Sequence, residues 1–310
     1  MRGRRALLGV VSLVGVLALG ACGTGEPEDA ASTPAVEETR RVTHALGETE
    51  VVGTPDRVVV LDTGELDTVL ALGVTPVGAV RTDVSDELPD HLEAAGADPA
   101  EISEVGTIAE PGLEAIAALD PDLILSNTAR HTDLYDQLQS IAPTVMGEGV
   151  GETWKQNLPV YAEALGRQQE GEELLEAYET RAAEVGALFG DPSAVEVSIV
   201  RSVGTGSARL YGEGSSIGTV LADAGFARPA IQRTEETFVE VGPEEISQAD
   251  GDLLLYSAYG SEGATELTEL TSGGLWQSCP RCSGVTRSPS TTTAGSWPSA
   301  RWARSWCSTT

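Results

Sequence analysis

Residues 57–73 read Arg-Val-Val-Val-Leu-Asp-Thr-Gly-Glu-Leu-Asp-Thr-Val-Leu-Ala-Leu-Gly, and their reading decides the fold class. Residues 57–61 carry an unbroken apolar, β-branched run, the pattern of a strand buried on both faces of a parallel sheet. Leu66, Val69, Leu70 and Leu72 then recur at helical spacing over 65–72, and Gly73 stops the helix. The same alternation continues outward. Strands are predicted at 74–80, 102–105, 123–126 and 144–146, with helices at 86–95, 112–119 and 133–140. A second series begins with a strand at 195–201, followed by helices at 216–224 and 243–248 and a strand at 253–256. Between the two series, Leu174, Leu175, Tyr178, Ala182, Val185 and Leu188 predict one long helix over 168–188, ended by Gly190, Asp191 and Pro192. Strands alternating with helices imply parallel sheets covered on both faces. The expectation is an α/β chain of two Rossmann-like parallel-sheet lobes, 50–151 and 192–278, joined by one long α-helix within a connecting segment 152–191, with a ligand cleft between the lobes.

The N-terminus carries export chemistry. Arg2, Arg4 and Arg5 precede an apolar run over 6–20, which is short of the ~20 residues needed to span a bilayer but suited to a signal-peptide core. The run ends in Leu19-Gly20-Ala21-Cys22, which resembles a bacterial lipobox. That resemblance implies cleavage after residue 21, lipidation of Cys22 and residence on the outer face of a membrane. Residues 22–49 are expected to form a flexible tether, since 23–41 are rich in Glu, Pro, Ala and Thr without apolar periodicity.

Lys plus Arg total 19 against 48 Asp plus Glu, a net charge of −29. This balance excludes nucleic acid as a partner and suits an extracytoplasmic protein with a cationic or neutral ligand. His44, His91 and His131 are far apart and form no spaced metal motif, so no resident metal or cofactor is expected. No Ser-His-Asp set, activated cysteine or pair of catalytic acids stands in a motif context, so no enzyme is expected either. The last 41 residues, after Glu269, contain no Asp or Glu, and the stretch 279–310 is crowded with Cys, Arg, Ser, Thr and Trp. It reads as the product of a frameshift. The second lobe is therefore expected to be incomplete at its C-terminal end.

Taken in order, several segments resemble the iron-siderophore and cobalamin class of ABC-transporter solute-binding proteins. They are 58–62 before 66–74, Leu119-Asp120-Pro121-Asp122-Leu123-Ile124-Leu125, Ile141-Ala142-Pro143-Thr144-Val145, 216–225 and 240–246. The resemblance covers roughly 45–278 and lies in the order and spacing of the segments. It implies capture of a ferric siderophore, with iron present only as part of that ligand, and delivery to a membrane permease and its ATPase. It also implies a monomer whose helix-linked lobes close only slightly on the ligand. A cobalamin or haem receptor is the alternative within the class; a non-transport surface lipoprotein or an enzyme is the alternative outside it. Glu114 in Gly112-Leu113-Glu114-Ala115-Ile116 and Glu244 in Val241-Gly242-Pro243-Glu244-Glu245-Ile246 match the acids that dock onto permease arginines in that class.

A ferric siderophore presents oxygen-rich edges, for which planar guanidinium donors and aromatic faces are suited. Candidates are sought at the C-terminal ends of strands, the ligand edge of open α/β sheets. In the first lobe these are Arg81 and Arg130, with Trp154 at the start of the connecting segment. In the second they are Arg201, Arg209 and Tyr211, then Tyr256 and Tyr259. Gly204-Thr205-Gly206 and 212–216 are read as turns, because they lack the lysine and spacing of a phosphate loop.

Overall fold

Val58, Val59 and Val60 have no solvent exposure and form β3 (Val58–Val60), the middle strand of the first sheet. The computed structural model describes residues 38–84, 88, 92, 96–274 and 276. The signal segment, Cys22 and the anomalous tail from 279 onward lie outside the described residues, as does most of the predicted helix 86–95.

The first sheet is five-stranded and parallel throughout, in the order β5 (Ser103–Thr107), β4 (Gly78–Arg81), β3, β6 (Leu123–Asn127), β7 (Thr144–Gly147). Alternate side chains feed two cores. Val58 and Val60 pack with Leu66, Val69 and Leu70 on one face, whereas Val59 and Leu61 pack with Ile116, Ile124 and Leu138 on the other. Burial of each Val or Leu contributes about 1.5–3 kcal/mol, which is why this run has no polar interruption. Helix α1 (Thr63–Ala71) begins where Asp62 caps it, accepting the Thr63 N–H at 2.6 Å. The helices α2 (Leu113–Ala118), α3 (Thr128–His131) and α4 (Tyr135–Gln139) complete this lobe.

The expected tether is structured from Thr39 onward. β1 (Thr39–His44) and β2 (Gly47–Val52) form an antiparallel hairpin whose Val42 and Val51 enter the first core. Thr49 Oγ1 donates to the Thr144 carbonyl at 2.8 Å and Arg40 Nε to the Glu163 carbonyl at 3.1 Å, which fixes the hairpin against β7 and the connecting segment. Its strands bury only alternate residues, several of them polar, so they leave little apolar signal in the sequence.

The connecting segment holds two helices, α5 (Trp154–Ala164) and α6 (Gln168–Ala187). The 20 residues of α6 extend about 30 Å. Glycines allow close contact near both of its ends. A Cβ on Gly171 would come within 2.7 Å of the Ala162 Cβ in α5, and one on Gly186 would run into the Ala224 carbonyl of the second lobe.

The second sheet is mixed rather than parallel. Its order is β10 (Phe238–Val241), β9 (Ala208–Tyr211), β8 (Val197–Ser202), β11 (Leu253–Ala258). β8 and β11 are parallel, but β9 runs antiparallel to both β8 and β10. The cause is connection length: only Val203–Ser207 joins β8 to β9, with Gly204 and Gly206 both at φ +79°. Such a turn makes a hairpin and is too short for a parallel crossover. Helix α7 (Ser216–Asp223) agrees with the sequence reading, whereas 243–249 is a three-ten helix and α8 (Gly260–Ser272) has no counterpart in it.

Candidate functional site: a two-walled cleft at the strand tips

The C-terminal ends of β3 and β6 in one lobe and of β8 in the other border a cavity of about 200 Å³. The first lobe supplies a carboxylate wall. Asp62 is separated from β3 by Leu61 alone, so the residue that caps α1 also stands at the strand tip. Its Oδ2 accepts the Arg130 Nε at 2.8 Å. One turn into α1, Glu65 is 3% exposed. Its Oε1 accepts the Tyr161 hydroxyl at 2.5 Å and the Asn127 amide at 3.2 Å. Burial, followed by the negative charge of Asp62, raises the Glu65 carboxyl to about 7. Asp67, also buried, completes the acidic side.

The second lobe supplies a cationic wall. Arg201, near the end of β8, is 6% exposed. Its guanidinium carbon lies 5.5 Å from the Tyr211 ring centre and 5.8 Å from that of Tyr259, within cation–π range. Nη1 donates to the Tyr211 hydroxyl at 3.2 Å and Nε to Ser257 Oγ at 3.3 Å. Ser215 and Ser216, at the N-terminus of α7, also face the cavity. Beneath this wall, Arg228 is buried and donates to the Val197 and Tyr211 carbonyls, which holds β9 in place. Burial lowers its guanidinium to about 10.

Several contacts pin the lobes to the connecting helices. The Trp154 Nε1 donates to Thr219 Oγ1 of α7 at 3.0 Å, and its ring meets Tyr178 of α6 edge-on at 4.8 Å. Lys155 and the Tyr178 hydroxyl both reach Asp223, each at 2.6 Å. A Cβ on Gly151 would come within 2.9 Å of the Gly214 carbonyl. At another point Gly260 approaches Val84, beside Tyr259. Burial and the nearby Asp83 raise the Tyr259 phenol.

Of the sequence candidates, Arg130, Trp154, Arg201 and Tyr211 come together around the cavity, and Tyr259 adjoins it through Arg201. Three lie elsewhere. Arg81 pairs with Glu104 at 2.9 Å across β4 and β5. Arg209 pairs with Glu240 at 3.1 Å, its guanidinium 4.2 Å above the Phe238 ring. Tyr256 packs edge-on against Trp276 inside the second core. Register accounts for the last two: Arg209 shares a face of β9 with Tyr211 but stands opposite Glu240 of β10, with which it pairs, and Tyr256 precedes the tip of β11 by two residues. Sequence reasoning missed Asp62, Glu65, Asp67, Asn157 and Tyr161. Asp62 had a legible signal, an acid between strand and helix at the ligand edge; Glu65 reads equally well as a partner for the helix dipole.

His131 and His44 belong to the interior. His131 accepts from Ser126 at Nδ1 (2.7 Å) and donates from Nε2 to the Ile108 carbonyl (2.8 Å). Burial lowers both imidazoles, so they are neutral near pH 7. Glu114 and Glu244 are exposed, each in the first turn of a helix. Glu114 follows the C-terminal end of β5. Glu244 follows that of β10, which is parallel to β8 because both oppose β9. Each acid thus sits on the strand-tip edge of its own lobe.

Comparison with known proteins gives matches of one kind. A family model described as "Periplasmic binding protein" matches residues 58–280. The "Probable siderophore-binding lipoprotein YfiY" of Bacillus subtilis is 36% identical, over 86% of this chain and 84% of its own length. The "Fe(3+)-citrate-binding protein YfmC" of the same organism is 31% identical, over 86% and 83%. Among solved structures, Staphylococcus aureus SirA complexed with staphyloferrin B superposes with a TM-score of 0.72 at 27% identity, covering 86% of this chain and 94% of that one.

Proposed function

This chain belongs to the periplasmic binding protein family, and from that premise we propose that it captures a ferric siderophore outside the cytoplasm and delivers it to an ABC importer. The observation that carries this reading is the Arg201 guanidinium, held between two tyrosines at the mouth of a cleft formed by the strand tips of two lobes. A buried, aromatic-flanked guanidinium offers a fixed cation to the oxygen-rich face of a ferric complex. Trp154 adds a flat apolar edge beside it. The cleft holds its cargo by hydrogen bonds and ring contacts and releases it chemically unaltered.

Delivery rests on Glu114 and Glu244. One exposed acid on each lobe, both at the cleft edge, matches a permease that reads the two lobes together through paired arginines. Lipidation at Cys22 keeps the protein at the outer membrane face, in keeping with the lipoprotein name of the relative at 36% identity. Among the described residues no helix is long and apolar enough to cross a membrane. The test is equilibrium titration with ferric siderophores followed by intrinsic fluorescence. Saturable quenching by a ferric complex, absent with the iron-free chelator, supports the reading; failure of every ferric complex to bind refutes it.

A further inference from the structure

The first turn of α5 is held by one lobe and the rest of the helix by the other. Trp154 Nε1 donates to Thr219 Oγ1 at 3.0 Å, and Lys155 Nζ reaches both oxygens of Asp223, at 2.8 and 2.6 Å. Thr219 and Asp223 are at i and i+4 on α7, so one face of that second-lobe helix takes both side chains. Further along α5 the bonds go to the first lobe. Asn157 Oδ1 accepts the Glu148 N–H at 2.8 Å, and the Tyr161 hydroxyl lies 2.8 Å from the Ser126 carbonyl. Pro159 lies inside the helix. Having no N–H, it leaves the Lys155 carbonyl out of the helical ladder, so the first turn is less firmly joined to the turns after it.

Trp154 lines the cavity, and its ring is fixed by groups that do not. The indole N–H is its only donor, and it is spent on Thr219. Thr219 Oγ1 gives its own proton to the Ser216 carbonyl at 2.8 Å, which leaves its oxygen to accept from the indole. Tyr178 of α6 meets the ring edge-on, and its hydroxyl is held in turn by Asp223. Trp154 therefore offers a ferric complex ring surface and no hydrogen bond.

We propose that Thr219 is a positioning residue for cargo binding: it fixes the Trp154 ring in the cavity wall and ties that ring to the second lobe, although Trp154 belongs to the connecting segment. This rests on the siderophore-binding reading above and deepens it. Trp154 then forms one wall with Arg201 and Tyr211, and the weakened first turn of α5 lets that wall move as a unit.

The test compares the full chain with Thr219→Val, which keeps the shape but removes the acceptor, and with Thr219→Ser, which keeps the hydroxyl. Each is titrated with ferric citrate, ferric staphyloferrin B and ferrioxamine B. Exchange of the Trp154 indole proton is followed by NMR, its signal assigned by its loss in Trp154→Phe. In Thr219→Val, binding of whichever complex the unmodified protein takes is expected to weaken about fivefold or more. The indole proton is expected to exchange about tenfold faster, and Thr219→Ser to restore both. Unchanged indole exchange in Thr219→Val, an unchanged Kd, or losses in Thr219→Ser equal to those in Thr219→Val overturn the proposal. Binding of none of the three complexes by the unmodified protein overturns the siderophore reading itself, and the role of Thr219 with it.

Discussion

Replacing Glu65 by Gln should remove a defined pH dependence from the stability of the fold. The folded protein holds this carboxyl at about 7, against an ordinary value of 4.5. Between these limits the folded chain keeps a proton that the unfolded chain has released. The resulting stabilisation is complete below about pH 4.5 and is lost as the pH rises through about 7. A span of about 2.5 pH units at about 1.36 kcal/mol each gives about 3 kcal/mol, a sizeable share of the 5–15 kcal/mol typical of a folded domain. Gln keeps an oxygen for Tyr161 and Asn127 but cannot ionise, so its own effect on packing is the same at every pH. Urea unfolding of both proteins at about pH 5 and about pH 8, followed by fluorescence, isolates the effect. The stability of the original protein minus that of the variant should fall by about 2–3 kcal/mol between the two conditions, since part of the full span is already lost at about pH 5. A difference that stays constant within about 0.5 kcal/mol would refute the claim that burial and Asp62 hold Glu65 protonated.

Three further outcomes test other parts of the structure. Arg201→Ala should weaken binding of the cognate ferric complex by about 1 kcal/mol or more, the scale of a charged hydrogen bond; an unchanged Kd in the quenching titration would remove Arg201 from the site. Reversing both Glu114 and Glu244 to Arg should abolish iron uptake by cells while leaving the Kd of the purified protein intact, and uptake that survives would rule out docking through these acids. Gly186→Ala should lower the Tm by several degrees, although Ala is the better helix former by roughly 1 kcal/mol, because its Cβ would press on the Ala224 carbonyl; a raised Tm would show that α6 and the second lobe can part at little cost.

The legibility of the chain followed the strength of its apolar signal. β3 and α1 could be read because a strand buried on both faces must be apolar throughout, and because helix spacing and a terminal glycine follow it at once. The 168–188 helix was equally plain and agrees with α6 to within a residue. The hairpin 39–52 was not, since each strand buries only alternate positions and half of those are polar. The polarity of the second sheet was also hidden, although the short Val203–Ser207 connection held the clue: five residues cannot carry a strand back to run parallel.

The site divides in the same way. Sequence alone pointed to the ends of the strands as the place to look for ligand contacts, and of its candidates Arg130, Trp154, Arg201 and Tyr211 line one cavity. Only the tertiary structure decided that Arg209, two residues from Tyr211, pairs sideways with Glu240, and that Asp62, Glu65 and Tyr161 converge on one buried spot. Periodicity reports how far each residue is from water. Which distant residues become neighbours depends on how the helices and sheets pack, and that packing gave the cleft an acidic wall facing a cationic one.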